Sequence, residues 1–327
     1  MSPFPTSEKK VEENKSEITQ KLFSAIQSAL AKGQIARADE LREKLIEVNP
    51  MALSEIIKSA EIIEEAKSEN IDKDHIATWD SLYGTLSEEE KNCFFYSLKK
   101  IVVPPKKVLL AKGSFNNRLF FIDKGQVTIL YPKGKKHKVI AQLGRGSILG
   151  EYTFATISLC SATAVSHSEV ELMYLESSAT DEWEQKHPGL YEKLIDFCLQ
   201  NGRVDEIIRK KKMEKRNSTR YSLGGRVAAN LLTKEGKKTE TNFRGELSDL
   251  SASGTSFMIK ISKKTTARAL LARHLRLSFS IRQGDEKLSF SAIGKVVGVS
   301  FHLYNDYTVH MQFTKHLSEQ QISKLCV

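Results

Sequence analysis

Two short segments carry the side chains that a planar, doubly charged ligand needs. Arginine guanidinium groups fork onto phosphate oxygens and stack on purine faces, and a carboxylate accepts hydrogen bonds from the N1 and N2 donors of guanine. A serine hydroxyl can bond a phosphate, and a glycine lets a turn adopt a conformation that a Cβ would hinder. The residues concerned are Lys215, Arg216 and Arg220 in a basic segment, and Asp249, Ser251 and Gly254 further along the chain.

These residues fit the pattern R-x-x-x-R followed by D-x-S-x-x-G, which resembles the signature of PilZ domains, the bacterial receptors for cyclic di-GMP. The resemblance implies that the six residues bind cyclic di-GMP. In PilZ proteins the residue before the first arginine influences whether one ligand or a stacked pair is held. Here that residue is Lys215, and we expect an intercalated pair of cyclic di-GMP molecules.

The chain around the motif predicts a sheet-rich fold. Runs rich in β-branched and aromatic residues alternate with turn residues, and a short helical stretch, Glu319 to Cys326, ends the chain. PilZ domains have a six-stranded antiparallel β-barrel with a terminal helix, so the resemblance implies that fold for residues 217–327, with residues 204–216 as a basic linker. The predicted strands are Arg226 to Leu232, Asn242 to Leu250, Thr255 to Ile261, His274 to Ile281, Lys287 to Phe301 and Tyr307 to Phe313.

A second β-rich region precedes the linker. Its glycines suit the tight corners of a jelly roll. The stretches Leu109 to Gly113, Leu119 to Ile129 and Leu143 to Glu151 resemble a cyclic nucleotide-binding domain, an eight-stranded jelly roll closed by a helix, here near Leu190 to Leu199. We expect this domain at residues 76–203, and a helix that continues from roughly Leu190 to Met213.

The phosphate cassette of this region departs from that of cyclic AMP receptors, which runs from a Gly-Glu pair through a short helix to an arginine followed by small residues. Gly150 and Glu151 match its start and Ala162 its end, but Ser161 stands at the arginine position. Loss of the charged fork removes ~1.5–3 kcal/mol, or one to two orders of magnitude in affinity. We therefore favour a domain that is structural or reads another ligand over one that binds cyclic AMP.

The N-terminal region, residues 1–75, predicts helices. Apolar residues recur at helical spacing on both sides of Gly33, and Pro50 ends the second helix. The pair resembles one tetratricopeptide-like hairpin with Ala38 at the close-packing position. Because a single repeat unit lacks neighbours to cover its faces, we expect a docking element for a protein partner or for a second copy of the chain. The predicted architecture is therefore multidomain and mainly β, with an α-helical N-terminal segment.

Basic residues are concentrated near the C-terminus. Residues 204–327 contain 23 basic and 11 acidic side chains, a net charge of +12 in a chain with a total of +10. Such a region attracts polyanions. One alternative function is therefore a cyclic-nucleotide-responsive regulator that binds nucleic acid through Arg209 to Lys212, although the strand-rich end lacks the paired helices of a helix-turn-helix. Another is a scaffold that binds only protein, with its arginines merely solvated.

Several absences narrow the class of protein. No apolar run approaches the ~20 residues of a membrane span, and the acidic N-terminus is unlike a signal peptide, so we expect a cytoplasmic protein. No motif or acid–base pair indicates catalysis, and we expect a non-enzymatic receptor without a cofactor that relays cyclic di-GMP binding to a protein partner by domain reorientation. His310 is expected to be an ordinary surface residue of the last strand. Reduced thiols without metal or disulfide spacing are expected at Cys93, Cys160, Cys198 and Cys326.

Overall fold

A computed structural model describes residues 7–133, 136–202, 204, 207–208, 219–233, 235–283, 286–302 and 306–326. The chain forms two compact units, residues 1–98 and 99–327. The domain boundaries given above stay predictions. No helix among the described residues is long and apolar enough to cross a membrane.

The first unit is helical. The predicted N-terminal helices are confirmed: α1 and α2 form a hairpin whose turn contains Gly33 at φ +69°, and α3 packs on both. Ile26, Ala38 and Leu45 are fully buried between them. A capping box fixes the start of α6, where the Ser87 hydroxyl and the Glu90 carboxylate bond each other's backbone N–H. The helices are α1 Ser7–Ala31, α2 Ile35–Val48, α3 Leu53–Asn70, α4 Lys73–Thr78, α5 Asp80–Tyr83 and α6 Glu88–Ser97.

A jelly roll begins the second unit, as the sequence predicts. Two four-stranded antiparallel sheets, ordered β1-β9-β3-β6 and β2-β8-β4-β5, enclose a core that includes Ile122, Val127 and Leu172. Helix α7, Glu151–Ala155, and the short strand β7, Ile157–Ser158, lie between β6 and β8. The sheet strands are β1 Lys99–Val103, β2 Val108–Leu110, β3 Arg118–Lys124, β4 Val127–Lys133, β5 Lys136–Leu143, β6 Ile148–Leu149, β8 Thr163–Ser166 and β9 Val170–Glu176.

The helical end of the jelly roll contains a break that was not predicted. Helices α8, Trp183–Lys186, and α9, Leu190–Asn201, follow the strands. The expected helix from Leu190 to Met213 is interrupted, because α9 ends at Gly202, whose backbone is extended at φ −67° and ψ 116°, and the described residues Val204, Ile207 and Ile208 are helical again. A glycine is a poor helix residue, and here its amide caps α9 by donating to the Cys198 carbonyl at 2.8 Å. Residues 209–218 of the predicted linker lie outside the described part.

A closed six-stranded antiparallel barrel forms the rest, and all six predicted strands are confirmed. Its order is β12-β11-β14-β15-β16-β13, closed by pairing of β12 with β13. Leu250, Phe257, Leu277, Val296 and Val309 fill it. The strands are β11 Arg226–Leu232, β12 Lys238–Ser251, β13 Gly254–Lys260, β14 His274–Gln283, β15 Glu286–Phe301 and β16 Asp306–Phe313, with β10 Tyr221–Ser222 added to β12.

Two helices flank the barrel. The predicted terminal helix is present at Glu319–Cys326, and the short helix Lys264–Leu270 was not predicted. That helix buries Ala267 and Leu270 against the barrel core. Most of its residues are good helix formers, but seven residues are too few for a helix that is stable alone, so tertiary packing stabilises it.

Strand β7 joins the jelly roll to the barrel. Ser158 pairs with Gly298 and Ile157 with Val299 of β15, and the Leu159 amide donates to the Val297 carbonyl at 3.1 Å. Ile157 is 9% exposed and belongs to the barrel core. A segment within the jelly-roll cassette is thus an extra strand on the barrel wall.

Three of the cysteines have described side chains. Cys93, Cys160 and Cys198 are not in disulfides, and the last two are buried. Burial, aided by the nearby Glu151 carboxylate, raises the pKa of the Cys198 thiol to about 12, so this thiol stays protonated at neutral pH.

Candidate functional site

An ion pair joins two of the predicted site residues. Arg220 Nη1 lies 3.3 Å from Asp249 Oδ2, with the arginine side chain 47% exposed. The strand that follows Arg220, β10, pairs with β12 at Leu250 and Asp249, which places the two side chains on neighbouring strands. Such an exposed pair contributes at most ~1 kcal/mol. A guanidinium carries five N–H donors, so the pair leaves donor capacity for an incoming anion.

The signature serine and glycine form a turn between β12 and β13. Ser251 is buried, and its Oγ accepts from the Gly254 amide at 3.2 Å and donates to the Gly254 carbonyl at 3.0 Å. A Cβ on Gly254 would overlap the Met311 carbonyl oxygen of β16. The two residues therefore have a structural role in strand packing beside any role in ligand binding.

His310 lies close to this turn and is more than the surface residue that we expected. It is half-buried; its Nδ1 is 2.9 Å from Ser256 Oγ, and its Nε2 is 3.0 Å from Ser300 Oγ. Burial lowers the pKa of His310, Arg220 and His302 lower it further, and Asp249 opposes them. The imidazole is therefore mainly neutral at pH 7, and one of its nitrogens donates to a serine hydroxyl while the other accepts.

A cleft of about 1150 Å³ runs between the barrel turn and the jelly-roll cassette. The barrel side includes Arg220, Ser251, Gly254, Lys295 and His310. The jelly-roll side consists of Lys112, Gly113, Tyr152, Ser158, Leu159, Cys160 and Ser161. The structure therefore brings Arg220, Ser251 and Gly254 to the same cleft as Ser161, with Asp249 joined to it through Arg220. Lys215 and Arg216 lie outside the described residues.

The inner cavity of the jelly roll is much smaller. Gly150, Glu151, Ser161 and Ala162 line it together with Val204, and its volume is about 30 Å³. Small-molecule sites usually measure ~300–1000 Å³, whereas this volume accommodates only a water or two. The predicted cassette residues thus surround one cavity, and that cavity is far smaller than a nucleotide.

Glu151 also packs differently from a glutamate that binds the ribose of a nucleotide. It is 7% exposed, and its side chain lies against Gly202 so closely that a Cβ on that glycine would come within 2.8 Å of Glu151 Cγ. The cassette glutamate therefore contacts the end of α9. Sequence comparison with the cassette pattern gave no sign of this contact.

Comparison with known proteins identifies the jelly roll. Residues 100–187 match the family model described as the cyclic nucleotide-binding domain, so a cyclic nucleotide-binding domain occupies this part of the chain. No curated protein matches the chain significantly.

Solved structures similar to the chain carry the same kind of description. A cyclic nucleotide-binding domain from Methylobacillus flagellatus is 23% identical, with 40% of this chain and 75% of that chain covered and a TM-score of 0.36. A cyclic nucleotide-binding-like protein from Brucella abortus is 20% identical, with 34% and 97% covered and a TM-score of 0.32. The catabolite activator protein of Thermus thermophilus is 20% identical, with 40% and 62% covered and a TM-score of 0.34.

Sequence reasoning missed the jelly-roll wall of the cleft and two residues of the barrel wall. Lys112 and Tyr152 are distant in sequence from the PilZ-like motif, and Lys295 and His310 sit on strands that the motif does not include. A single sequence does not indicate which strands meet across a domain junction, so no local signal was available for Lys112, Tyr152 or Lys295.

Proposed function

We propose that this protein is a non-enzymatic receptor for cyclic di-GMP. In this proposal residues 217–327 are a PilZ domain, and Lys215, Arg216, Arg220, Asp249, Ser251 and Gly254 are its ligand residues. The cyclic nucleotide-binding domain suggests a nucleotide-responsive regulator on independent grounds. Its own inner cavity is structural or reads a ligand other than cyclic AMP.

The observation that carries the proposal is the position of the Arg220–Asp249 pair beside a large basic cleft. Lys112, Arg220 and Lys295 line the cleft, and none of its described lining residues is acidic. Cations gathered around a concave surface attract a ligand with several negative charges. The volume of about 1150 Å³ exceeds the usual range for one drug-sized ligand, which favours a large dinucleotide or a stacked pair.

Each residue has a task that suits its chemistry. Arg220 forks onto a phosphate and stacks on a purine face, and Asp249 accepts from the guanine N1 and N2 donors once the ligand displaces part of the ion pair. His310 lines the cleft and is held there by the hydroxyls of Ser256 and Ser300. Arg216 supplies the second guanidinium, and Lys215 adds charge for a pair of ligands.

The signal passes to a protein partner through a change in domain arrangement. Ser158 of β7 and the next residue, Leu159, line the ligand cleft, so binding acts directly on the strand that joins the jelly roll to the barrel. In the separate helical unit, Met51, Leu53 and Ile57 are exposed by 82%, 61% and 56%. Exposed apolar side chains of this kind suit contact with a partner or a second copy.

Calorimetric titration of the full-length protein with cyclic di-GMP tests the proposal. Arg220→Ala removes a charged hydrogen-bonding group worth ~1.5–3 kcal/mol. Because the ligand needs both arginines, Arg220→Ala and Arg216→Ala are each expected to abolish measurable binding. Arg226→Ala, which removes an exposed arginine of the same barrel outside the cleft, is the matched control and retains binding. Unchanged affinity in both Arg220→Ala and Arg216→Ala would contradict the assignment of these arginines to a cyclic di-GMP site.

The same titrations separate a receptor from a nucleic-acid-binding protein. Nucleic acid binding weakens steeply with salt and depends on the length of the nucleic acid, whereas the proposed site selects guanine. The described C-terminal helices are separated by β14, β15 and β16 and form no helix-turn-helix. Tight, length-dependent DNA binding without cyclic di-GMP binding would favour the nucleic-acid alternative.

A further inference from the structure

The cleft has one wall from each domain. The motif that resembles PilZ accounts only for the barrel wall, at Arg220, Ser251 and Gly254. Opposite them stand side chains of the cyclic nucleotide-binding domain, among them Lys112 and Tyr152. Nothing in the barrel motif or in the cassette pattern assigns a task to these two residues.

Backbone contacts fix the two walls against each other. Strand β7 is paired with β15, the Leu159 amide donates to Val297, and Lys295 Nζ donates to the Gly113 carbonyl at 3.3 Å. Lys295 thereby ties the loop next to Lys112 to the barrel. These contacts place both walls within reach of one ligand, and a ligand that bridges the walls acts directly on the pairing of β7 with β15.

The jelly-roll wall offers the chemistry that a purine nucleotide uses. Tyr152 is 43% exposed and lines the cleft. When an aromatic side chain on which a base stacks is removed, the affinity falls by about 5- to 150-fold. Lys112 is exposed, and its Nζ lies 3.6 Å from the centroid of the Tyr131 ring. This cation–π contact orients the ammonium group while leaving its N–H donors to an anion.

We propose that the cyclic nucleotide-binding domain supplies half of the nucleotide site in the cleft: Tyr152 stacks on a guanine base and Lys112 binds a phosphate of the ligand that Arg220 holds from the barrel. The inference rests on the proposed function, because the ligand is the same. It adds that the ligand bridges the two domains. On the jelly-roll side, the ligand binds to the outer face of the cassette and not in the inner cavity.

The test is calorimetric titration of the full-length protein with cyclic di-GMP. Tyr152→Ala is expected to weaken binding about tenfold or more, while Tyr152→Phe, which keeps the ring, binds like wild type. Lys112→Ala is expected to weaken binding about fivefold and to reduce its salt dependence. Lys138→Ala is the control, since it removes an exposed lysine of the same jelly roll away from the cleft.

A second measurement reports stacking directly. Trp79 and Trp183 are both 2% exposed, so Tyr152→Trp places a tryptophan in the cleft whose emission changes when guanine stacks on it. Wild-type affinity in Tyr152→Ala and Lys112→Ala, together with unchanged emission of Tyr152→Trp on saturation, overturns the inference while leaving a barrel-only receptor intact. Absence of cyclic di-GMP binding to the wild-type protein rejects the proposed function and this inference with it.

Discussion

Asp249 interacts with two basic side chains. It forms an ion pair with Arg220, and the charge of Asp249 raises the pKa of His310 against the effect of burial. A ligand that draws Arg220 onto phosphate therefore changes the electrostatics of the histidine as well. Arg220, Asp249 and His310 are therefore electrostatically coupled, although the motif omits His310.

The lowered pKa of His310 predicts a loss of stability in acid. The ordinary value is 6.5, so just below pH 6.5 the unfolded chain takes up a proton that the folded protein excludes. Stability contributed by the neutral imidazole is present above pH 6.5 and falls as the pH drops through the window beneath it. Urea unfolding at pH 7.5 and 5.5 should show a smaller acid loss in His310→Gln than in wild type. An equal loss in both proteins would contradict this origin.

Gly254 predicts a stability effect that is separate from ligand chemistry. A Cβ at this position overlaps the Met311 carbonyl oxygen, and backbone cannot move aside cheaply. Gly254→Ala should therefore lower the free energy of unfolding by ~1–3 kcal/mol. Gly224→Ala is the control, because a Cβ there meets no atom within 4 Å, and it should change stability by no more than ~0.5 kcal/mol. Chemical denaturation of both variants measures the difference, and equal stability would show that β13 and β16 separate easily.

At the scale of elements, the cassette of the jelly roll serves two surfaces. Helix α7 and the residues after it line the small inner cavity, and β7 and the residues after it line the cleft. Tyr152, Cys160 and Ser161 border both. A short segment that joins two domains and borders two cavities is a suitable place to couple them.

The cassette also makes a prediction about cyclic AMP. Ser161 offers no charge for a cyclic phosphate and the inner cavity measures about 30 Å³, so the wild-type protein should bind cyclic AMP weakly or not at all. Ser161→Arg should restore some affinity, up to one or two orders of magnitude for a well-placed fork. Gln142→Arg, an exposed position of β5, controls for added charge. Calorimetry that finds tight binding by the wild-type protein would show that the missing arginine does not matter.

At the scale of the whole molecule, the basic C-terminal third predicts a ligand pair. Two stacked cyclic di-GMP molecules carry four negative charges, which Lys112, Arg220 and Lys295 in the cleft partly neutralise together with Lys215 and Arg216. We expect calorimetry to saturate at two ligands per chain. We also expect ligand to protect the segment from Arg209 to Arg220 against trypsin, because the ligand supplies the counter-charge that the basic segment lacks. Saturation at one ligand with unchanged cleavage would exclude both the pair and the rearrangement.

The sequence by itself determined which regions form helices and which form strands. Alternating apolar residues and turn residues predicted all six barrel strands, because strand period and turn chemistry are local properties. Helical spacing around Gly33 and Pro50 likewise predicted the N-terminal hairpin. The motif residues Arg220, Asp249, Ser251 and Gly254 were named from their order in the chain, and their assignment to cyclic di-GMP stays a prediction.

Only the tertiary structure decided how the site is enclosed. Pairing of β7 with β15 involves two residues on each side, too few to leave a pattern in the sequence, and its register depends on the shapes of two finished domains. That pairing brings Lys112 and Tyr152 to the barrel motif. The end of α9 at Gly202 and the small inner cavity also follow from packing, since Glu151 and Val204 meet there only after the jelly roll has closed.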